Sequence, residues 1–252
     1  MKIKRILTIV KMEMLRIIRQ PLVSVFTLLL VPLLILVFGL TMGNNYGWHE
    51  DYSIFEIMVP GFLAYASLMT IYDVAASVAG EREFGLQRRI NTTPLTSAEY
   101  IISQLIAYTI KPLLQFLLGF GIAYAVGYRP LATAAGYLLV IVFLMLLTFC
   151  SVGFGLITAH FTKSASAAGG LAFIFIVPQQ IFATFIPPAF IGANSFKWIF
   201  PSYYATESIG WIFGDLFPLT SVEILMRLGI LFAISVVIYI VGIIVYEKKK
   251  NT

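Results

Sequence analysis

Residues 131–159 read LATAAGYLLVIVFLMLLTFCSVGFGLITA, and no charged side chain interrupts this stretch. A helix needs about 20 apolar residues to cross the hydrocarbon layer of a membrane. The strands of a membrane barrel would alternate apolar and polar positions, whereas this run is continuously apolar. Because lipid offers no hydrogen-bond partners to an open backbone, the stretch is predicted to be a transmembrane helix.

The composition of the whole chain favours the same class of protein. Of its 252 residues, 60% are hydrophobic and 12% are charged, whereas soluble domains contain about 45–50% apolar residues. The single cysteine, Cys150, lies inside the apolar stretch. One cysteine excludes an intrachain disulfide and a cysteine metal cluster.

Further apolar runs on both sides predict an all-α integral membrane fold with six transmembrane helices. The six spans cover residues 22–42, 57–80, 100–126, 131–159, 164–187 and 228–246, in a single transmembrane domain of residues 1–252. Two of these spans contain a charge, Asp73 in the second and Lys111 in the third.

Lysine and arginine are distributed unevenly over the connecting segments, and this bias predicts the orientation. Thirteen of them fall before the first span, in the second and fourth connections and in the tail, against three on the other side. We therefore expect a multi-pass protein of the cell membrane with both termini cytoplasmic. The net charge of +5 reflects this bias and attraction to anionic membrane lipid, so no nucleic-acid partner is predicted.

Residues 1–20 form an element of their own. Apolar side chains recur on one helical face, and polar ones, among them Arg5 and Glu13, fall on the opposite face. This pattern predicts an amphipathic interfacial helix on the cytoplasmic leaflet, where it anchors the chain to lipid. Pro21 ends this helix and lets the first span enter the bilayer.

The two intramembrane charges lie at similar depths on consecutive spans. Asp73 is about 12 Å and Lys111 about 16 Å from the inner surface, at about 1.5 Å per residue. A charge at the bilayer centre costs about 2.5–3.5 kcal/mol, so such residues usually pair or line a cavity. Two interpretations stay open. The charges either brace spans two and three or line a cavity, or Lys111 snorkels to an interface while Asp73 bonds locally to Ser77 or Tyr72.

Small residues indicate close helix contacts, because they let two backbones approach. The candidates are Gly119, Gly121, Gly153, Gly155, Ala165, Gly169 and Gly170. Packing within one subunit and a seam between two subunits would use the same pattern.

A short charged segment follows the second span. Its charged and turn-forming residues are Glu81, Arg82, Glu83, Gly85, Arg88, Arg89 and Pro94. Gly85 permits a tight change of direction, Leu86 and Ile90 lie four residues apart on one face of a short helix, and Pro94 ends that helix. The alternative is a solvated loop that only carries positive-inside charge.

The order Glu-Arg-Glu-x-Gly, then eight residues and a Pro, resembles the cytoplasmic loop of the type-2 ATP-binding cassette (ABC) permeases. In that family the loop carries a coupling helix, which docks onto a separate ATPase subunit. The resemblance implies that residues 81–97 form this coupling loop. The residues it implicates are Glu81, Arg82, Glu83, Gly85, Leu86, Arg88, Arg89, Ile90 and Pro94. It also implies a second role for the N-terminal helix, which would brace the ATPase.

A second motif precedes the last span. Pro201, Tyr203, Tyr204 and Glu207 belong to a segment that resembles the Pro-x-x-Tyr-x-x-x-Glu segment of these permeases. In the family, the region between spans five and six dips back into the outer leaflet. Residues 187–222, which are rich in aromatic side chains, are therefore expected to form an external re-entrant region. It would act as a membrane-interface anchor or as a gate over the exit path.

Together the motifs and spans resemble the short, drug-exporter-like type-2 ABC permeases over nearly the whole chain. The resemblance implies export of a lipophilic substrate, such as a drug, an antibiotic or a lipid. It also implies an ABC ATPase subunit and a second permease copy or a paralogue as partners. The chain has no Gly-x-x-x-x-Gly-Lys-Ser/Thr loop, so we expect ATP and Mg²⁺ in the partner and no cofactor here.

Two other classes of function remain as alternatives. A self-contained secondary transporter or channel would often show inverted repeats, and no internal repeat is visible. A membrane enzyme would need a catalytic set. The two histidines, His49 and His160, do not form a His-Glu-x-x-His metal site, and no nucleophile and base are paired. The sequence therefore predicts a transport subunit with no catalytic residues and no metal.

Overall fold

The computed structural model describes residues 3–19, 21–43, 53–86, 97–182 and 196–250. Within these ranges the chain is helical and contains no strand, which confirms the predicted all-α class. The helices are α1 Ile3–Arg19, α2 Pro21–Met42, α3 Ile54–Leu68, α4 Thr70–Glu83, α5 Ser97–Val126, α6 Ala134–Phe161, α7 Ala165–Gln180, α8 Pro201–Phe213 and α9 Val222–Lys250. A 3₁₀ turn, Phe196–Ile199, precedes α8.

Five helical runs are long and apolar enough to cross a membrane. They are Val25–Met42, Ile54–Glu83, Ile102–Val126, Ala134–Phe161 and Val222–Val245. These runs correspond to the predicted spans one, two, three, four and six. Helix α7 is apolar but has only 16 residues, and residues 183–187 of the predicted fifth span lie outside the described ranges. The fifth predicted span therefore stays a prediction.

The second span consists of two consecutive helices that meet at Met69. Met69 keeps a helical conformation, and backbone hydrogen bonds continue on both sides of it, from its N–H to Tyr65 and from Asp73 to its carbonyl oxygen. The run begins earlier than predicted because Ser53 caps α3. The Ser53 hydroxyl accepts from the Glu56 N–H at 3.2 Å, and the Glu56 carboxylate accepts from the Ser53 N–H at 2.8 Å. This capping box satisfies donors that the first turn leaves free.

Helices α3 and α4 form the centre of the bundle, and α6 packs between α4 and α9. Glycines make the closest approaches. A Cβ atom on Gly153 would lie 2.9 Å from the backbone of Ile238 on α9, and one on Gly155 would lie 2.7 Å from Val74 on α4. On the other hand, Gly121 and Gly170 have no atom within 4 Å of such a position. Gly153 and Gly155 thus serve packing within one chain.

Helix α1 packs lengthwise on α5. Its apolar residues Ile3 and Leu7 are exposed, as expected for a lipid-facing stripe. Its polar face does not face water throughout, because Glu13 is only 1% exposed and points at α5. The Glu13 carboxylate accepts hydrogen bonds from Gln104 Nε2 at 3.0 Å and from the Tyr108 hydroxyl at 3.2 Å. The helix is therefore attached to the third span as well as amphipathic.

Candidate functional site

The coupling motif begins at the end of α4, where the chain turns. Helix α4 ends at Glu83, and the Phe84 N–H donates to the Gly80 carbonyl at 2.9 Å. Gly85 follows with φ of 69°, a left-handed conformation that glycine adopts without a steric penalty. Leu86 comes next and is exposed. The predicted change of direction therefore lies at Gly85.

Three consecutive charged residues attach this turn to three different helices. The Glu81 carboxylate, 1% exposed, accepts a hydrogen bond from the Tyr100 hydroxyl on α5 at 2.5 Å. Arg82 Nη2 donates to the carbonyl oxygen of Ala159 near the end of α6. Glu83 Oε2 accepts from the backbone N–H of Ala165 at the start of α7, at 2.9 Å. The Glu-Arg-Glu part of the motif therefore holds the loop to the bundle.

The remaining coupling residues lie outside the described ranges. They are Arg88, Arg89, Ile90 and Pro94. Their predicted contact with an ATPase stays a prediction, and the described part of the motif shows how the loop is anchored.

Near this anchor, α1 and α5 share polar contacts. Arg5 Nη1 on α1 lies 3.7 Å from Glu99 Oε2 on α5. The bonds to Glu13 add to this contact. Helix α1 is therefore attached to α5, the helix that follows the coupling loop.

A polar pattern in the sequence predicts these contacts, although the spacing of the apolar residues does not. Polar side chains recur along α5 at intervals of three or four residues, which places them on one stripe of a helix. The members of this polar stripe are Tyr100, Gln104, Tyr108, Lys111 and Gln115. Each of them bonds to another helix. Tyr100 and Lys111 bond to α4, Gln104 and Tyr108 bond to Glu13 on α1, and Gln115 bonds to α2.

The structure brings the two intramembrane charges together. Lys111 Nζ lies 2.6 Å from Asp73 Oδ2, and the lysine is 9% exposed. Tyr72, the local partner considered for Asp73, instead places its ring against Phe173 on α7, with centroids 5.9 Å apart. Removing one partner of an ion pair with little water around it is strongly destabilising, because the remaining charge is left uncompensated. The pair is therefore a second contact between α4 and α5, in addition to the bond between Glu81 and Tyr100.

The residues predicted for an external gate all lie on α8. Pro201 occupies the first turn, where its missing N–H costs no hydrogen bond. The Tyr204 hydroxyl donates to the Trp198 carbonyl at 2.8 Å. Glu207 Oε2 lies 2.5 Å from Nη1 of Arg227 on α9, an ion pair that lacks hydrogen-bond alignment. Arg227 Nη2 also donates to the Tyr203 hydroxyl at 3.5 Å.

Two contacts position α8 within the bundle. Its beginning lies near the end of α7, because the Ser202 hydroxyl donates to the Gln179 carbonyl at 3.5 Å. Its end lies at the connection between α5 and α6, because the Leu131 N–H donates to the Phe213 carbonyl at 2.8 Å. With 13 residues, α8 is too short to cross a membrane. The sequence did not predict Arg227 as the partner of Glu207, because Arg227 lies at the edge of the predicted last span.

The described residues offer no metal site, since no group of three or more His, Cys, Asp or Glu side chains among them could hold an ion. What the arrangement provides is mechanical. Charged contacts at one end attach the Glu81-Arg82-Glu83 segment to three other helices, an ion pair joins α4 to α5 in the middle, and the short helix α8 lies at the other end.

Comparisons with known proteins add a family to this geometry. The sequence profile described as ABC-2 type transporter matches residues 4–214, from α1 to the end of α8. The uncharacterized transmembrane protein YxlG of Bacillus subtilis (strain 168) is 33% identical over 72 residues, which is 27% of this chain. That match spans 28% of the length of YxlG.

The five apolar helices and the profile match together indicate a multi-pass membrane protein with a role in transport. Proteins of this kind are permease subunits that typically pair with a separate ABC ATPase. Since the profile covers most of the chain, the chain belongs to the ABC-2 type transporter family.

Proposed function

We propose that the chain is the transmembrane subunit of an ATP-driven exporter, which moves a lipophilic substrate such as a drug, an antibiotic or a lipid outward across the cell membrane. It works with a second copy of itself or a paralogue. Separate ATPase subunits bind ATP and Mg²⁺ on the cytoplasmic side, where both termini of this chain lie. The three-way anchoring of the Glu81-Arg82-Glu83 segment supports this function best.

An exporter of this kind needs a loop that transmits force, and the anchoring provides one. If the residues after Gly85 dock onto an ATPase, a movement of that subunit pulls on α4 directly. Through Glu81 it also acts on α5, and through Glu83 on α7. A loop that only carries charge in water would not need the buried contact between Glu81 and Tyr100, because exposed charges gain little from pairing.

Two bonds make α4 and α5 a rigid pair. Glu81 bonds to Tyr100, and Asp73 pairs with Lys111. The residues on α4 are eight positions apart, which separates the two bonds by about 12 Å along the helix. Two fixed points at different levels prevent the helices from rotating about a single contact. A rotation of the loop after Gly85 would therefore tilt α4 and α5 together.

The opposite end of the bundle supports an exit path that opens and closes. Helix α8 buries Ile209 and Ile212 in the core of the bundle, and its Tyr203 and Glu207 contact Arg227 on α9. Because α8 has 13 residues and is too short to cross a membrane, it can shift without unfolding a membrane span. We assign the external gate to α8, with Tyr203 and Glu207 as the residues that hold it to Arg227.

Copurification and ATP hydrolysis test the proposed function. The chain alone, free of contaminants, should bind and hydrolyse no ATP, because its sequence contains no phosphate-binding loop. Coexpressed with its ABC ATPase, it should copurify as a complex, and hydrolysis by that ATPase in vesicles should depend on the permease. Measurable hydrolysis by the lone chain, or an ATPase whose rate is the same with and without the permease, would contradict the proposal.

A further inference from the structure

Two buried cations share one aromatic site at the end of the bundle where α8 meets α9. Lys197, on the 3₁₀ turn, is 9% exposed, and Arg227 is 7% exposed. Lys197 Nζ lies 5.0 Å from the ring centroid of Tyr203, and Arg227 Cζ lies 5.2 Å from the same centroid. The ring of Trp198 is near both cations, at 5.7 Å and 5.9 Å. The two charges therefore belong to a single cluster.

The cluster contains more positive than negative charge. Glu207 is paired with Arg227. Within the described ranges Lys197 forms no ion pair, and its ammonium group lies 5.0 Å and 5.7 Å from the centroids of two aromatic rings. A cation–π contact contributes about 0.5–2 kcal/mol, which is less than the several kcal/mol that it costs to remove an ion from water. Arg227 Nε is also buried and has no hydrogen-bond partner. One positive charge and one N–H donor thus remain to be satisfied.

Apolar surface lies directly beside these groups. Phe196, Trp198 and Ile199 belong to the same turn as Lys197, and all three are exposed. A small inorganic anion would use the cations and leave this surface uncovered. A molecule with an anionic head and an apolar tail would use both, because the tail can cover the apolar side chains.

We propose that this cluster binds the anionic headgroup of a membrane amphiphile. A phosphate or carboxylate group pairs with Lys197 and accepts a hydrogen bond from Nε–H of Arg227, and the apolar tail lies along Trp198 and Ile199. This binding does not depend on the export function. It requires only that the chain is in a membrane whose lipids include an anionic one.

The experiment compares two phospholipids on the purified full-length chain in neutral detergent or in phosphatidylcholine nanodiscs. Spin-labelled lipids or native mass spectrometry give the affinity for phosphatidylglycerol relative to phosphatidylcholine. We expect a preference for phosphatidylglycerol that Lys197→Gln reduces on the order of fivefold, the effect of one basic residue at a membrane surface. Glu207→Gln should increase the preference, because it removes the carboxylate that competes for Arg227.

Arg129→Gln is the matched control. Arg129 is exposed, stacks on the ring of Tyr124 and donates to backbone carbonyl oxygens, so its removal should leave the preference unchanged. Melting of each variant without phosphatidylglycerol identifies those that do not fold. A second arm replaces phosphatidylglycerol with inorganic phosphate, which should give little protection from melting.

Wild-type selectivity in a folded Lys197→Gln variant would overturn the proposal. If that variant does not fold, Glu207→Gln decides, and an unchanged or weaker preference in it would also overturn the proposal. Equal protection by inorganic phosphate would identify a free-anion site and overturn the assignment to an amphiphile.

Discussion

At the scale of single residues, depth in the membrane is a good predictor of pairing. Asp73 and Lys111 lie at similar depths on consecutive spans, and their charged atoms meet at 2.6 Å. Depth could not predict the pairing of Glu207 with Arg227. Arg227 lies at the edge of its span, where water or headgroups are alternative partners. It becomes buried only because α8 packs onto α9.

The Asp73–Lys111 pair leads to a prediction about stability. Asp73→Ala should destabilise the chain by about 2.5–3.5 kcal/mol, because it leaves a lysine charge unpaired within a span. The double variant Asp73→Ala with Lys111→Ala should recover part of this loss. Denaturation in detergent micelles gives the free energies. Strictly additive losses in the double variant would show that the two side chains do not interact.

The Glu81–Tyr100 bond leads to a second prediction. Tyr100→Phe removes only the hydroxyl that donates to the buried carboxylate, and the loss of one such donor costs about 1–3 kcal/mol. The ATPase should still copurify, while its hydrolysis should respond less to the permease. Tyr124→Phe is the control on the same helix, because Tyr124 is exposed. Equal behaviour of the two variants would argue against the anchoring role of Tyr100.

At the scale of elements, apolar periodicity predicts where the helices are and does not predict what their polar faces contact. Residues 1–20 were predicted to be amphipathic, and α1 is a helix whose apolar Ile3 and Leu7 are exposed whereas Ile6 is buried. The position of Glu13 on the polar face predicted that its side chain would be exposed to water. In the structure this residue is buried, because the polar stripe of α5 offers it two donors. Such a match between two helices depends on their packing and cannot be read from either one alone.

Glycine positions give a prediction at this scale. Gly153→Ala should destabilise the chain by about 1–3 kcal/mol, the usual cost of overpacking, because its Cβ atom would lie 2.9 Å from the α9 backbone. Gly170→Ala should be neutral or stabilise by up to about 1 kcal/mol, since alanine favours helix more than glycine does. Thermal melting of the two variants in the same detergent makes the comparison. Equal melting temperatures would mean that α6 and α9 are not packed closely at Gly153.

At the scale of the whole molecule, composition and hydropathy were sufficient for the fold class and for five of the spans. The fifth predicted span is the exception. Helix α7 has 16 described residues and contains Pro178 near its end, where proline removes a helical hydrogen bond. The orientation of the termini and the re-entrant path of residues 187–222 remain predictions, because they refer to a membrane and to residues outside the described ranges.

The central claim concerns the whole assembly: the loop after Gly85 docks onto an ATPase, and the Glu81-Arg82-Glu83 segment carries the resulting force into the helices. Copurification with the double reversal Arg88→Glu/Arg89→Glu tests it most directly, with Lys248→Glu/Lys249→Glu as a control of equal charge change. We predict that the loop variant inserts in the membrane and loses the ATPase, or retains it with hydrolysis independent of the permease. The control should behave as the wild type. Wild-type copurification and wild-type hydrolysis by the loop variant in reconstituted vesicles would contradict the claim.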